Sequence, residues 1–125
     1  MLGAGLSFLI SGCAGTAAVP VPTSKHVEYA GRNGQATSLA TMNLGRKLYI
    51  RRCSACHNLK RPESLAAADW PEMVERMSAN AELKPDQKRA ITQYLVGVAA
   101  AAQDTTNLPT APRTGVMPAG NAEPR

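Results

Sequence analysis

The stretch Cys53-Ser54-Ala55-Cys56-His57 decides the fold of this chain. Two cysteines separated by two residues and followed at once by a histidine form the attachment pattern of a c-type haem, and we call this stretch the haem-attachment motif. On a helical turn the two sulfurs lie near one face, where they can reach the two vinyl groups of one porphyrin. An imidazole is a good iron ligand. The motif therefore predicts one covalent haem c, with thioether bonds to Cys53 and Cys56 and with His57 as the proximal iron ligand.

Two other uses of a Cys-x-x-Cys pair were weighed against haem attachment. A structural zinc site needs two further Cys or His ligands, and only Cys13 and His26 remain in the sequence. A thioredoxin-like redox pair belongs near a βαβ pattern, and no segment here alternates as a strand does. His26 is conceivable as a second haem ligand, but a lone histidine in a linker is usually solvated. We therefore favour haem attachment and keep zinc and redox use as alternatives.

Length and composition limit the fold to one small domain with tails. The chain has 125 residues, only 4% of them aromatic, and a net charge of +5. Its ordered part, predicted over 41–102, has about 60 residues, a size at which domains become marginal, so a covalent porphyrin would add needed apolar bulk. Lys and Arg are dispersed rather than clustered with aromatics, which argues against nucleic acid as a partner. The positive charge favours a solvated surface that steers an acidic redox partner.

The N-terminal residues have the character of a lipoprotein signal. Leu2 to Ile10 is uncharged and apolar, which suits a signal-peptide core and is too short for a membrane span. The next stretch, Ile10-Ser11-Gly12-Cys13, resembles the lipobox of bacterial lipoproteins. No Lys or Arg precedes Lys25, which departs from the usual basic start. We expect a signal peptide over 1–12 and lipidation of Cys13, with the protein on the periplasmic side of the bacterial cell envelope.

The rest of the chain divides by composition. Residues 13–40 are rich in Ala, Gly, Thr, Ser and Pro and predict a flexible linker. Residues 41–102 carry helical periodicity and predict the haem domain. Residues 103–125 contain four prolines and few large apolar residues, and they predict a disordered tail.

The helix predicted before the motif begins at a cap on Thr41 or Asn43 and runs through Arg52. Its core-facing residues are expected to be Leu44, Leu48 and Tyr49. Gly45 interrupts this helix, and close approach of another backbone would explain the glycine.

Two further helices are predicted after the motif, beyond a loop over 58–68. Asp69-Trp70-Pro71-Glu72 predicts a helix start with Asp69 as its cap. Pro85-Asp86 predicts the start of the last helix, which should end near Ala102. The apolar faces predicted for the two helices are Trp70, Met73, Val74 and Met77, and Ile91, Tyr94, Leu95 and Val98.

The order of these features resembles the small class I c-type cytochromes over about half the chain. The matching residues are Gly45 with Leu48-Tyr49, the haem-attachment motif, and Ile91-Thr92-Gln93-Tyr94-Leu95. The resemblance implies an all-α fold of about three helices around one covalently attached haem, flanked by flexible tails. It also implies that the first and last helices cross closely at Gly45 and Tyr94.

The same resemblance implies a distal iron ligand. This family usually completes the iron with a methionine sulfur, and one subgroup has a tryptophan several residues before an Arg-Met pair, here Trp70 and Arg76-Met77. Met77 is therefore the expected ligand and Met73 the alternative. Methionines on an apolar helix face are also common as core filling.

These features lead us to expect a membrane-tethered, monohaem, one-electron carrier that is not itself an enzyme. One alternative is a haem-based sensor or peroxidase-like protein with an open distal site. Another is the cytochrome subunit of a larger oxidoreductase.

Overall fold

A computed structural model describes residues 19–106, and these residues form four α-helices without any strand. The helices are α1 (Ser24–Arg32), α2 (Leu39–Leu48), α3 (Trp70–Ser78) and α4 (Pro85–Thr106). A π-helical turn, Tyr49–Cys53, continues α2, and two 3₁₀ turns, Pro62–Ser64 and Ala67–Asp69, precede α3. The all-α prediction is confirmed. The predicted signal peptide, the lipidation site Cys13 and the tail beyond residue 106 lie outside the described residues.

Helix α4 forms the centre of the domain. Every residue from Ala90 to Ala101 is buried, and α1, α2 and α3 all pack against this helix. The predicted core residues of α4, namely Ile91, Tyr94, Leu95 and Val98, are at most 3% exposed. A helix that is apolar on all sides is a buried helix, so the single apolar face predicted from the sequence was too narrow. No described helix is both long enough and apolar enough to span a bilayer.

The crossing of α2 and α4 depends on Gly45. A Cβ atom at this position would lie 2.1 Å from the carbonyl oxygen of Ala90 and 3.0 Å from the Cβ of Tyr94. No side chain fits in that space, so only glycine allows the two backbones to approach this closely. The predicted contact between Gly45 and Tyr94 is confirmed.

Helix α1 corrects the prediction of a flexible linker over 13–40. Residues 24–32 are helical, and Ala30 is fully buried where α1 packs on α4. Gly97 allows this second crossing, since a Cβ there would lie 2.5 Å from the carbonyl oxygen of His26. The composition of this segment did not predict a helix, because its closest contacts with α4 are made at the small residues Ala30 and Gly97, with Tyr29 as its large residue packed against the core.

His26 has a structural role within α1. Its Nδ1 accepts a hydrogen bond of 3.0 Å from the backbone N–H of Thr23, at the start of the helix. Burial, and then the charge of Lys25, lower the pKa of His26, which favours the neutral ring that can accept this bond. The imidazole is thus engaged in helix capping.

The predicted start of the helix before the motif was wrong. Ser38 is the cap, and its side chain accepts a hydrogen bond from the backbone N–H of Thr41. Leu44, which was expected in the core, is 48% exposed. Met42 is fully buried instead, because the face of α2 that meets α4 is set by Gly45.

The predicted start of α3 after Asp69 was correct, but the predicted capping role of Asp69 was wrong. Asp69 immediately precedes the helix, but its backbone is already in the helical region and its side chain makes no capping hydrogen bond. The preceding 3₁₀ turn runs directly into α3 and removes the extended conformation that a capping side chain requires. The last helix begins at Pro85, as predicted, and continues to Thr106 rather than ending near Ala102.

Replacement of Gly45 by alanine tests the α2–α4 crossing. Because the new methyl group would overlap the backbone of Ala90, Gly45→Ala should lower the free energy of unfolding by about 2 kcal/mol or more. Gly31→Ala is the matched control, since nothing lies within 4 Å of a Cβ at that position; it should be neutral or stabilising by about 0.5–1 kcal/mol. Urea unfolding of the two holoproteins measures both effects, and equal stabilities would contradict the crossing.

Candidate haem site

The π-helical turn delivers the haem-attachment motif to the surface of the domain. It begins at Tyr49 and ends at Cys53, and the turn that follows includes Cys56. Such i→i+5 turns are rare and occur often at functional sites. Cys53 is half-buried, whereas Cys56 and His57 are exposed, and both cysteines carry free thiols. The two thiols are therefore available for covalent attachment.

Cys53 lies on the wall of a small apolar cavity. Met77, at the end of α3, lines the same cavity. The remaining lining residues are Tyr49, Val74, Ala81, Leu83, Ile91 and Leu95. The structure thus brings a predicted thioether residue and the predicted distal ligand to one apolar space enclosed by the π turn, α3 and α4.

Met73 has a different environment from Met77. It is partly buried and packs against the hydrophobic core, and it does not line the cavity that Cys53 and Met77 share. Met77 thus shares a cavity with Cys53, whereas Met73 packs in the core, and the choice of Met77 as the distal ligand stays a prediction.

His57 is oriented by its own backbone neighbour. Its Nδ1 lies 2.8 Å from the carbonyl oxygen of Asn58. A carbonyl only accepts hydrogen bonds, so Nδ1 is the donor in this contact, and Nε2 is the ring nitrogen that the contact does not engage. This hydrogen bond to a backbone carbonyl is the usual way in which a metal-ligating imidazole is held in the required tautomer.

Two aromatic residues hold the loop that follows the motif. The hydroxyl of Tyr49 donates a 2.6 Å hydrogen bond to the carbonyl of Lys60, and Nε1 of Trp70 donates a 2.8 Å bond to the carbonyl of Pro62. The two rings meet edge to face, with centroids 6.3 Å apart. Burial is the main cause that raises the pKa of Tyr49 to about 12, so its hydroxyl remains a donor at neutral pH.

These positioning roles were missed at the level of sequence. From the sequence, Tyr49 and Trp70 were placed on apolar helix faces and used in the family resemblance, but no hydrogen bonds were predicted for them. Those bonds join segments that the sequence does not show as neighbours. The one available signal is that a buried Tyr or Trp needs a polar partner.

The donor set of the site fits a covalent haem. Two free thiols stand at the required spacing, and the adjacent imidazole has one ring nitrogen outside its hydrogen bond to Asn58. Burial, followed by the neighbouring Cys56, raises the pKa of the Cys53 thiol, as expected for a sulfur facing an apolar space. Among residues 19–106, no three His, Cys, Asp or Glu side chains form a cluster that could hold a metal ion.

A comparison with protein families agrees with this site. The family model described as "Dihaem cytochrome c" matches residues 49–119, which is more than half of the chain and includes the haem-attachment motif. The chain belongs to the dihaem cytochrome c family. It is therefore a c-type cytochrome, and its cofactor haem c supports electron transfer. Neither a curated protein nor a solved structure matches the chain.

Substitution of the two methionines of α3 tests the distal ligand. Met77→Ala should abolish the weak near-infrared band of sulfur-to-iron charge transfer and lower the reduction potential, because methionine ligation raises that potential. Met73→Ala is the matched control and should preserve both properties. Optical spectroscopy of each variant measures the band, and a redox titration measures the reduction potential. Loss of the band in Met73→Ala but not in Met77→Ala would identify Met73 as the distal ligand.

Proposed function

We propose that this c-type cytochrome is a membrane-tethered, monohaem, one-electron carrier of the bacterial cell envelope. The observation that carries the proposal is the shared apolar cavity of Cys53 and Met77. It is supported by the hydrogen bond between His57 Nδ1 and the carbonyl of Asn58, which leaves Nε2 as the ring nitrogen for iron. The bound haem would supply one-electron chemistry by alternating between Fe(II) and Fe(III). The chain itself would attach the haem, provide both axial ligands and exclude water from one face.

A single haem is proposed for this chain because its sequence contains one Cys-x-x-Cys-His. The third cysteine, Cys13, has no such neighbours, and residues 58–125 contain no cysteine at all. The family's description names two haems, but the matched part of this sequence offers thioether residues for only one.

A carrier rather than an enzyme is proposed on the expectation that Met77 is the distal ligand, which its shared cavity with Cys53 supports. When protein side chains fill both axial positions, oxygen and peroxide have no vacant coordination site. An open distal side would instead suit a gas sensor or a peroxidase-like activity.

Carbon monoxide separates the carrier from its alternative. The reduced, purified holoprotein should have a low-spin spectrum that remains unchanged for minutes under carbon monoxide, because the Met77 sulfur has to leave before the gas can bind. Met77→Ala should bind carbon monoxide at once and serves as the positive control. Prompt binding by the wild-type protein would contradict the carrier and favour a sensor or peroxidase-like protein.

Attachment to the membrane is proposed through lipidation of Cys13. The sequence Ile10-Ser11-Gly12-Cys13 has the branched and small residues of a lipobox, and c-type haem is likewise attached outside the cytoplasm. Stable anchoring would require two or more acyl chains, since a single chain gives only marginal binding.

Fractionation of cells tests the lipid anchor. Wild-type protein should sediment with membranes, and Cys13→Ser should move it to the soluble periplasmic fraction with its haem still attached. Cys13→Ala should behave in the same way. Membrane association that persists in both variants would refute lipidation as the anchor.

An acidic redox partner is proposed from the charges around the motif. No acidic residue occurs between Glu28 and Glu63, and the side chains of Arg51, Arg52 and Lys60 are exposed on both sides of the motif. This excess of positive charge beside the haem would attract a negatively charged partner and accelerate its encounter.

The oxidation rate by hexacyanoferrate(III), a small anionic oxidant, tests this attraction. The rate should fall as salt is added, because salt screens exposed charges. It should also fall by about tenfold at low salt in Arg51→Glu/Arg52→Glu. Lys25→Glu/Arg32→Glu, on α1, changes the net charge equally and should have the smaller effect. Equal effects of the two variants would show that only net charge matters.

A further inference from the structure

The first described residues, 19–22, lie along the domain as a strap. The guanidinium of Arg46 donates two hydrogen bonds, of 3.0 and 3.1 Å, to the carbonyl of Val19. The hydroxyl of Tyr94 donates a 2.7 Å bond to the next carbonyl, that of Pro20. Pro22 is buried. The strap is thus fixed to α2 and α4 at their crossing, close to Gly45.

This attachment shortens the tether between the domain and the proposed anchor. Only residues 14–18 separate Cys13 from Val19. Six Cα–Cα steps span at most about 20 Å even when fully extended. A linker that included residues 19–40 would have reached much further.

The strap also offers an apolar side chain towards its surroundings. Val21 is 63% exposed, the largest value among the exposed large apolar residues of the described part. It lies between Pro20, whose carbonyl is bonded, and buried Pro22. Lys25, exposed near the start of α1, adds a positive charge suited to anionic lipid headgroups.

We propose that the strap holds one face of the domain, the face that carries Val21, against the lipid bilayer. The proposal rests on the lipid anchor at Cys13 proposed above. The strap contacts and the short chain before them limit how far the face that carries Val21 can lie from the anchor. The cytochrome would then exchange electrons from a fixed height and orientation rather than from a long flexible arm.

Energy transfer from a headgroup-labelled fluorescent lipid to the haem measures this height. Lipidated holoprotein is reconstituted in vesicles of phosphatidylethanolamine and phosphatidylglycerol. An insertion of about twenty Gly and Ser residues between Ala18 and Val19 adds a mean span of about 25 Å, and it should reduce the transfer by about twofold or more. The same insertion after Thr106 is the matched control and should leave the transfer unchanged.

A second variant releases the strap without lengthening the chain. Arg46→Gln/Tyr94→Phe removes the three hydrogen bonds to residues 19 and 20, and it should reduce the transfer in the same direction as the insertion while the haem spectrum stays unchanged. Vesicle flotation reports on the anchor separately. Wild-type protein that fails to float would overturn the anchor and this proposal together, whereas flotation with equal transfer in wild type and the insertion before Val19 would overturn the strap proposal alone.

Discussion

Close packing of α2 against α4 at Gly45 is the constraint on which the rest of this structure depends. Since the π turn continues α2 and ends at Cys53, the crossing fixes where the haem-attachment motif emerges. It also brings Tyr49 to Tyr94 and Trp70 in the core. Those aromatic residues hold the loop after His57 and the carbonyl of Pro20. The absence of a side chain at Gly45 thus determines the relative positions of the motif, the loop and the N-terminal strap.

The site combines a rigid apolar wall with an exposed attachment segment. Helices α3 and α4 pack against each other and supply part of the wall, including Met77. The motif follows as a turn that leaves Cys56 and His57 accessible. Such an arrangement suits a cofactor attached after synthesis, because the thiols can be reached while the apolar face is already formed. It also suits a small domain, to which a covalent porphyrin adds apolar bulk.

The sequence predicted those parts of the fold that a short run of neighbouring residues determines. The haem-attachment motif and the start of α4 at Pro85 follow from residue patterns, whereas the contact of Gly45 with Tyr94 was implied by the resemblance to class I c-type cytochromes. Helix α1 was not predictable in this way, because its packing on α4 uses Ala30 and Gly97, small residues that carry little periodic signal. The roles of Tyr49 and Trp70 depend on the carbonyl groups of Lys60 and Pro62, which belong to a separate loop. Asp69 does not cap α3, because it ends a 3₁₀ turn that runs directly into the helix. The exposure of Leu44 likewise follows from the helix rotation that Gly45 imposes.

The central claim is that Cys53 and Cys56 bind one haem covalently. The most direct test is the mass of the denatured mature protein, produced in cells that mature c-type cytochromes and compared with Cys53→Ala/Cys56→Ala from the same cells. If one haem is attached covalently, the wild-type chain is coloured and heavier by one haem, and the double variant is colourless and lacks this added mass. A colourless wild-type chain of unmodified mass would contradict it.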